Sequence, residues 1–469
     1  MLEKIFKAYD IRGTYPSPLN EAGAWRIGLG CGRFLLAQAE KEGVKGAAAR
    51  RLVVGRDMRT SSPSLRDALV RGLRDAGAQV VDIGMVDTPA VYFAINHLDA
   101  AGGVQVTASH NPPQYNGFKI SRRHAKPVGE ATGLKDILRL ALEADESKKG
   151  AGAGTAEARD LWDAYRAHVL RFADLKGKRV RIAVDASNGM AGTMAPAVFG
   201  AAGSRVAGLE IVEVNFENSK GVFVHEPNPL VAANLRDTQR AVVDSKADFG
   251  VCFDGDADRL VVVDEKGAAV GCDHLTAFLG AWFIRRHGPS PVIYDLRSSK
   301  ALEEDIRRAG GEPVRSRVGH VFMKGLLAER GAVFGGELSG HFYFRDNFSA
   351  DSGAIALAVV LSAFAERGER MSRVIAPIAR YAQSGEMNFE VEDKDGALER
   401  LRGKYGARGR VDELDGVTID CFEREGWWCN VRKSNTEPLL RLNLEARDRA
   451  TLDRMTAEIA PMLGRAVEH

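Results

Sequence analysis

Asp254-Gly255-Asp256-Ala257-Asp258-Arg259 places three carboxylates at alternate positions of a tight loop, where hard oxygen ligands can converge on one divalent cation. The flanking GVCF and LVVV segments are apolar and would bury this loop, which argues against an ordinary solvated acidic turn. Glu265 falls at the twelfth position of an EF-hand count. However, Arg259 occupies the sixth, where that turn needs glycine, and the flanks read as strands rather than helices. Three carboxylates leave coordination positions open, which suits a Mg²⁺ shared with a phosphate oxygen. Arg259 beside them could hold a substrate phosphate or hydroxyl.

Three further loops carry reactive groups. Thr107-Ala108-Ser109-His110-Asn111-Pro112 puts a serine after an apolar strand, a possible nucleophile without the GxSxG elbow of a hydrolase. Asn111-Pro112-Pro113 fixes a turn behind it, and Lys119 places a cation shortly beyond. Gly336-Glu337-Leu338-Ser339-Gly340-His341 combines acceptors and donors, as sugar hydroxyls require, with an ordinary glycine turn as the alternative. Arg432-Lys433-Ser434-Asn435-Thr436 suits a dianionic phosphate, with a polar hairpin tip as the alternative. Gly28-Leu29-Gly30-Cys31-Gly32 looks like a dinucleotide fingerprint, but no strand precedes it and Trp25, Leu29, Leu35 and Leu36 give it helical character. Close helix packing is the better reading.

The elements around these loops alternate between short apolar strands and helical patterns, the signature of α/β architecture. One unit recurs three times, beginning at Leu52, Arg181 and Pro291 with a strand, a polar turn and a helix. In the first, Ser62 can cap, Pro63 suits the first helical position, Leu65, Leu69 and Leu73 share a face, and Gly77 stops the helix. A second apolar strand in each copy leads into the serine, aspartate and Gly336 loops in turn. Ligands of open α/β sheets bind beyond strand C-termini, so the loops are expected to share one cleft. A Gly/Ala-rich linker is expected from Lys148. After about Ala382 the pattern changes to a smaller α+β domain, with strands at Met387–Glu392, Val417–Phe422, Trp427–Val431 and Leu439–Leu444.

The 469 residues carry 65 basic and 63 acidic side chains, well mixed, so charge gives no support for nucleic-acid or membrane binding. Five scattered cysteines without a CxxC pair fit a reducing compartment better than a disulfide framework or a zinc site. The N-terminus has no apolar signal core, and the apolar run from Ala354 is too short for the ~20 residues of a membrane span. The expected protein is cytoplasmic.

These four motifs, in this order and preceded by FKAYDIRG at Phe6, resemble the α-D-phosphohexomutases, in particular their bacterial phosphomannomutase/phosphoglucomutase branch, over nearly the whole chain. The resemblance implies three similar α/β domains with mixed sheets (1–152, 153–268 and 269–381) and a smaller C-terminal α+β domain (382–469) around a central cleft. It implies that Ser109 carries a phosphoryl group and joins Asp254, Asp256 and Asp258 in holding Mg²⁺. Arg12, His110, Lys119, Arg259, His320 and His341 fall to catalysis, with Lys119, His320 and His341 the candidates for handling the hydroxyl proton. Tyr9, Arg297, Lys324, Glu337, Ser339, Arg432, Ser434, Asn435 and Thr436 fall to substrate binding. Arg297 stands where relatives carry Lys, which changes donor geometry.

The implied reaction interconverts hexose 1- and 6-phosphates of mannose or glucose through a hexose 1,6-bisphosphate that is also the activator. The expected partners are sugar phosphates alone, with no nucleic acid or membrane, and the chain is expected to be a monomer or weak dimer. The alternatives are a phosphoglucosamine mutase, which has Gln where Leu338 sits, a metal-dependent sugar phosphatase, or a non-catalytic calcium- or sugar-binding module.

Overall fold

A computed structural model describes residues 2–434 and 439–467. The chain opens with β1 (Ile11–Thr14), α1 (Glu21–Lys41), β2 (Arg51–Arg56), α2 (Ser62–Asp75), β3 (Gln79–Met85) and α3 (Thr88–His97). β4 (Gly102–Val106), β5 (Tyr115–Arg122), α4 (Leu134–Leu142) and β6 (Thr155–Ala158) follow. These strands form one mixed sheet in the order β1-β5-β4-β2-β3-β6. The second copy contains α5 (Trp162–Leu170), β7 (Val180–Asp185), α6 (Ala191–Phe199), β8 (Leu209–Val214), α7 (Arg236–Ser245), β9 (Phe249–Phe253) and β10 (Leu260–Asp264). Its sheet order is β10-β9-β7-β8.

The third copy holds α8 (Cys272–His287), β11 (Pro291–Asp295), α9 (Lys300–Arg308), β12 (Glu312–Ser316), α10 (His320–Arg330) and β13 (Phe334–Gly336). The repeat is visible in the pairing. A central strand has parallel neighbours on both sides in every copy: β2 between β4 and β3, β7 between β9 and β8, β11 between β13 and β12. The strands that end at the special loops are β4, β9 and β13, the corresponding member of each trio. The chain continues with the hairpin of β14 (Phe342–Phe344) and β15 (Ala350–Asp351), then α11 (Gly353–Arg367) and α12 (Met371–Ile375).

The C-terminal domain comprises β16 (Ala382–Glu390), α13 (Lys394–Tyr405), β17 (Arg410–Asp412), β18 (Val417–Asp420), α14 (Phe422–Glu425), β19 (Trp427–Lys433), β20 (Leu439–Ala446), α15 (Arg449–Ile459) and β21 (Arg465–Val467). Its antiparallel sheet packs Trp427, Leu440, Leu442 and Leu444 against Leu401, Tyr405 and Leu452 of the helices.

Contacts divide the chain into two units. One is Met1–Cys272 with Ser339–Ser372, and the other is Asp273–Leu338 with Arg373–His469. Among the described residues no helix is long and apolar enough to cross a membrane. The apolar run from Ala354 lies in α11, whose residues 353–365 are all buried in the first unit.

Three local readings change. α2 begins at Ser62 itself, because the Ser62 hydroxyl is taken by the Asp57 carboxylate instead of capping; Ser61 precedes the helix without a side-chain cap. The Gly/Ala-rich run after Lys148 is pinned rather than free. The amides of Gly150 and Gly152 donate to Asp75 at 3.0 and 3.3 Å, and a Cβ at Gly152 would lie 2.2 Å from Asp75 Cα. It leads into β6, which lies past residue 152 and forms the edge of the first sheet, parallel to β3. Arg432 belongs to β19, opposite Arg441, rather than to the loop that follows.

The glycines near residue 30 serve helix packing. A Cβ on Gly28 would sit 2.2 Å from Leu69 O on α2, and one on Gly72 would sit 2.1 Å from Trp25 O on α1. Gly28→Ala gains about 1 kcal/mol of helix propensity, but the colliding atom is backbone and the helices must separate, an overpacking cost of about 1–3 kcal/mol. We expect net destabilisation. A urea midpoint equal to or above the wild type would contradict the close crossing.

Candidate active site

β4 and β9 deliver the serine and aspartate loops to one place in the first unit. Ser109 Oγ donates to Asp254 Oδ2 at 2.9 Å across the two copies. The approach needs Gly255, where a Cβ would lie 2.3 Å from Ser109 O. Two non-glycine residues of these loops adopt left-handed backbone, Ser109 at φ 51° and Ala257 at φ 57°. Such a conformation costs on the order of 1–3 kcal/mol and persists only where surroundings impose it.

Ligand oxygens of Asp254, Asp256 and Asp258, all buried, lie within 4.8 Å of one another. Lys119 Nζ, brought in on β5, donates to Asp256 Oδ2 at 2.7 Å and Asp258 Oδ2 at 2.6 Å. Arg259 Nε lies 3.7 Å from Asp254 Oδ2 and 4.0 Å from Asp258 Oδ1. Burial and the neighbouring Asp258 and Asp256 charges hold the Asp254 carboxyl well above its ordinary range. At Asp258 burial works in the same direction, but Lys119 and His341 outweigh it and hold the group well below. Burial disfavours the Lys119 ammonium, yet the facing aspartates raise its pKa.

The donor set fits a divalent cation. It offers three carboxylates, and the buried Asp256 Oδ1 has no hydrogen-bond partner among the described residues. A cation there would relieve the mutual repulsion that pushes Asp254 up. A second acid–imidazole group, Asp258 with His341 and Asp351, is also within 4.8 Å.

His110, Arg12, His341 and Ser339 of this unit gather at the same centre. His110 Nδ1 is 3.3 Å from Ser109 Oγ, and burial with the charges of Arg259, Arg12 and Lys119 keeps its imidazole neutral. Arg12 is held by Asp10 and Asn111. His341 Nε2 lies 3.4 Å from Asp258 Oδ1, and its Nδ1 is 2.9 Å from Ser339 Oγ. Tyr9 is half-buried just before β1.

The second unit holds a different constellation. Asp295, at the end of β11, receives Arg297 as a bidentate partner at 3.1 and 2.9 Å, and the Leu338 amide at 2.7 Å. The fork accounts for arginine at position 297, since a lysine cannot pair with both oxygens in this way. Arg297 Nη1 also meets Glu386 Oε2 at 2.9 Å, where Arg432 arrives at 3.2 Å, while Arg441 binds Glu386 Oε1 at 3.0 Å. Glu337 Oε1 accepts from the Gly319 amide at 2.9 Å, just before His320 opens α10; Lys324 is buried one turn on. Ser434 is half-buried, and Asn435 and Thr436 lie outside the described residues. The Gly336–His341 motif is divided, Glu337 belonging to the second unit and Ser339 and His341 to the first.

Sequence reasoning missed Thr88 and Glu386. Thr88 starts α3 in the first copy, yet its Oγ1 donates to Asp256 Oδ2 at 2.5 Å and its amide to Asp256 O at 3.1 Å. Glu386 sits beside a β16 irregularity that no local pattern announces.

Burial alone would raise the Glu386 carboxyl, but Arg297, Arg432 and Arg441 pull it down to about 2 from an ordinary 4.5. A depressed acid stabilises the fold fully above its unfolded value and loses that contribution as pH falls towards the folded one. The pH-dependent part is about 3 kcal/mol. We expect the stability difference between wild type and Glu386→Gln to be constant above about pH 5.5 and to shrink from pH 4.5 downwards. Parallel denaturation curves across that range would contradict the ion cluster.

Family models match the chain in four consecutive pieces. They are phosphoglucomutase/phosphomannomutase alpha/beta/alpha domain I at residues 3–148, domain II at 163–267, domain III at 272–381 and the C-terminal domain at 386–462. A phosphomannomutase of Escherichia coli is 37% identical with 98% of both chains covered, and a phosphohexose mutase of Xanthomonas campestris pv. campestris is 38% identical at the same coverage. The crystal structure of a phosphoglucomutase/phosphomannomutase family protein from Burkholderia thailandensis superposes with a TM-score of 0.87 at 30% identity, covering 98% of this chain and 97% of that one.

Proposed function

The chain belongs to the phosphoglucomutase/phosphomannomutase family and is a hexose phosphate mutase, an isomerase of carbohydrate metabolism; from that premise we propose that it works on mannose and glucose phosphates through a phosphoryl group carried on Ser109. The observation that carries this reading is the 2.9 Å contact between Ser109 Oγ and Asp254 inside a buried three-carboxylate cluster. A serine so placed would, once phosphorylated, offer a phosphate oxygen to a cation held by these carboxylates. We assign Asp254, Asp256, Asp258 and the Ser109 phosphate to hold Mg²⁺, which when bound supplies neutralisation of phosphoryl charge.

In the first transfer the bond between Ser109 Oγ and phosphorus breaks, and a bond forms from phosphorus to the free O1 or O6 of a hexose monophosphate. The hydroxyl proton passes to His320 or His341, and the departing Ser109 Oγ takes a proton from Lys119, which the facing aspartates keep as an ammonium that can only give one. The product, a hexose 1,6-bisphosphate, then returns its other phosphate to Ser109 with the reverse proton movement. His110, 3.3 Å from Ser109 Oγ, and Arg259, beside Asp254, are assigned to the transferred group, and Arg12 is fixed beside the serine loop by Asn111. Glu337 and Ser339 are assigned to O3 and O4 of the sugar. Arg432, Ser434, Asn435 and Thr436 take the non-reacting phosphate, with Tyr9, Arg297 and Lys324 as further substrate contacts. The added bisphosphate acts as activator by recharging Ser109.

The domain limits 1–152, 153–268, 269–381 and 382–469 are our proposed division, with β6 the one strand reaching back across the first limit. We place the enzyme in the cytoplasm as a monomer or weak dimer. Its five cysteines, all buried and none in a disulfide, are the support for a reducing compartment.

Mannose and glucose phosphates differ only at C2, and no residue of the four motifs is assigned to O2. Strong rejection of one epimer would need a buried polar group satisfied only by the other. We expect kcat/KM for mannose 1-phosphate and glucose 1-phosphate to agree within about tenfold at saturating Mg²⁺ with added bisphosphate. A preference above about a thousandfold, roughly 4 kcal/mol, would mean an unassigned O2 contact. Ser109→Ala should lower kcat by at least about 10³ with an unchanged circular dichroism spectrum, since the nucleophile is lost from a loop held by other residues. Wild-type turnover in that variant would refute the assignment.

A further inference from the structure

The loop that carries Ser109 makes little structure of its own. Between β4 and β5 its own hydrogen bonds are Thr107 N to Gly117 O, Asn111 N to Ala108 O, Tyr115 N to Pro112 O and the Ser109 amide to Thr107 Oγ1, and Ser109 is left in left-handed backbone. A buried arginine from the first strand turn takes four of the carbonyls of this stretch. Arg59 Nη2 donates to Ser109 O at 2.8 Å and Asn111 O at 2.7 Å. Its Nη1 donates to Pro112 O at 2.7 Å and Tyr115 O at 3.0 Å. Nε is taken by Asp57 Oδ2 at 3.0 Å, so all five guanidinium N–H groups are used. The Arg59 side chain has no exposed surface, and the Phe223 ring covers it 5.1 Å from the centroid.

We propose that Arg59 is the positioning residue of the phosphoryl-carrying loop, setting the direction of Ser109 Oγ for both transfers of the cycle. The inference rests on Ser109 being the phosphoryl carrier. Its physical content is that a dianionic phosphate comes and goes at Oγ in each turnover while the same oxygen must return to the same line of attack. A guanidinium gripping the carbonyl of Ser109 itself, and three carbonyls behind it, fixes the backbone without touching the reacting atoms. Asp57 orients the fork, and receives the Arg59 amide and Ser62 hydroxyl on its other oxygen. Burial of a full charge to hold backbone carbonyls is costly, and burial does push the Arg59 guanidinium down. Lysine has three donors and no planar fork, so it cannot span four carbonyls and the carboxylate.

The test separates positioning from folding by counting phosphorylated chains. Wild type and Arg59→Lys are charged with glucose 1,6-bisphosphate, Ser109 phosphate is quantified by mass spectrometry, and transfer to glucose 6-phosphate is followed by rapid quench. We expect Arg59→Lys to accept phosphate but to transfer it about 10²-fold more slowly per phosphorylated chain, with KM within about threefold, because misplacing a reacting atom by about 1 Å costs on that order. Asp57→Asn, which leaves Arg59 in place but loosens its fork, should slow the same step about tenfold, and it carries the test should Arg59→Lys not fold. A per-chain transfer rate within threefold of wild type in Arg59→Lys, or within twofold in Asp57→Asn if only that variant folds, would overturn the proposal and leave the serine assignment standing. Wild-type turnover with no phosphate on Ser109 would overturn both.

Discussion

Three carboxylates packed within 4.8 Å in a buried loop repel one another by roughly 4 kcal/mol per pair at an effective dielectric near 20, and positive charge has to be brought to them. Much of the first unit can be read as the means of doing so. β5 carries Lys119 to Asp256 and Asp258, the residue after the last aspartate is Arg259, and β14 is entered through His341. Even so the charge is not balanced: Asp254 is driven up by burial and by its neighbours, and Asp256 Oδ1 stays unmatched among the described residues. That residual demand for a cation, next to a serine oxygen, is the physical ground on which the proposed phosphoryl chemistry stands. Thr88 adds two bonds to Asp256 from the first copy, so the position of the aspartate loop depends on both copies folding against each other.

The second unit poses the opposite problem. Arg297, Arg432 and Arg441 converge on Glu386, with Asp295 also paired to Arg297, so three guanidiniums are gathered on two carboxylates. Glu386 keeps the arginines together and leaves them able to attract a further anion. Asp295 orders the same region by gripping Arg297 and the backbone at Leu338, so one strand end sets both the arginine and the start of the Gly336–His341 motif.

The repeat, the strand-to-loop grammar and the four motifs were legible because each depends on local sequence: apolar strands ending in polar turns, and reactive residues a fixed few positions beyond. Lys119 and the three aspartates could be named for that reason. What was not legible came from contacts distant in sequence. Thr88 meets Asp256 168 positions away, and Glu386 meets Arg297 89 positions away; neither carries a local signature. Composition misled at the glycine-rich run after Lys148, whose glycines permit close approach to Asp75 rather than freedom. At Ser62 a cap-forming residue was diverted to Asp57, because that carboxylate was already organised by Arg59.

The central claim is that the buried aspartate cluster is a cation site whose occupancy the phosphoryl chemistry requires. Calorimetric titration of the chelator-treated chain with Mg²⁺ tests it most directly, with Asp256→Asn as the comparison. One site per chain is expected, weakened at least about tenfold in the variant, since a carboxylate ligand is lost while Thr88 and Lys119 remain. No binding to the wild type, or equal affinity in the two proteins, would contradict the account.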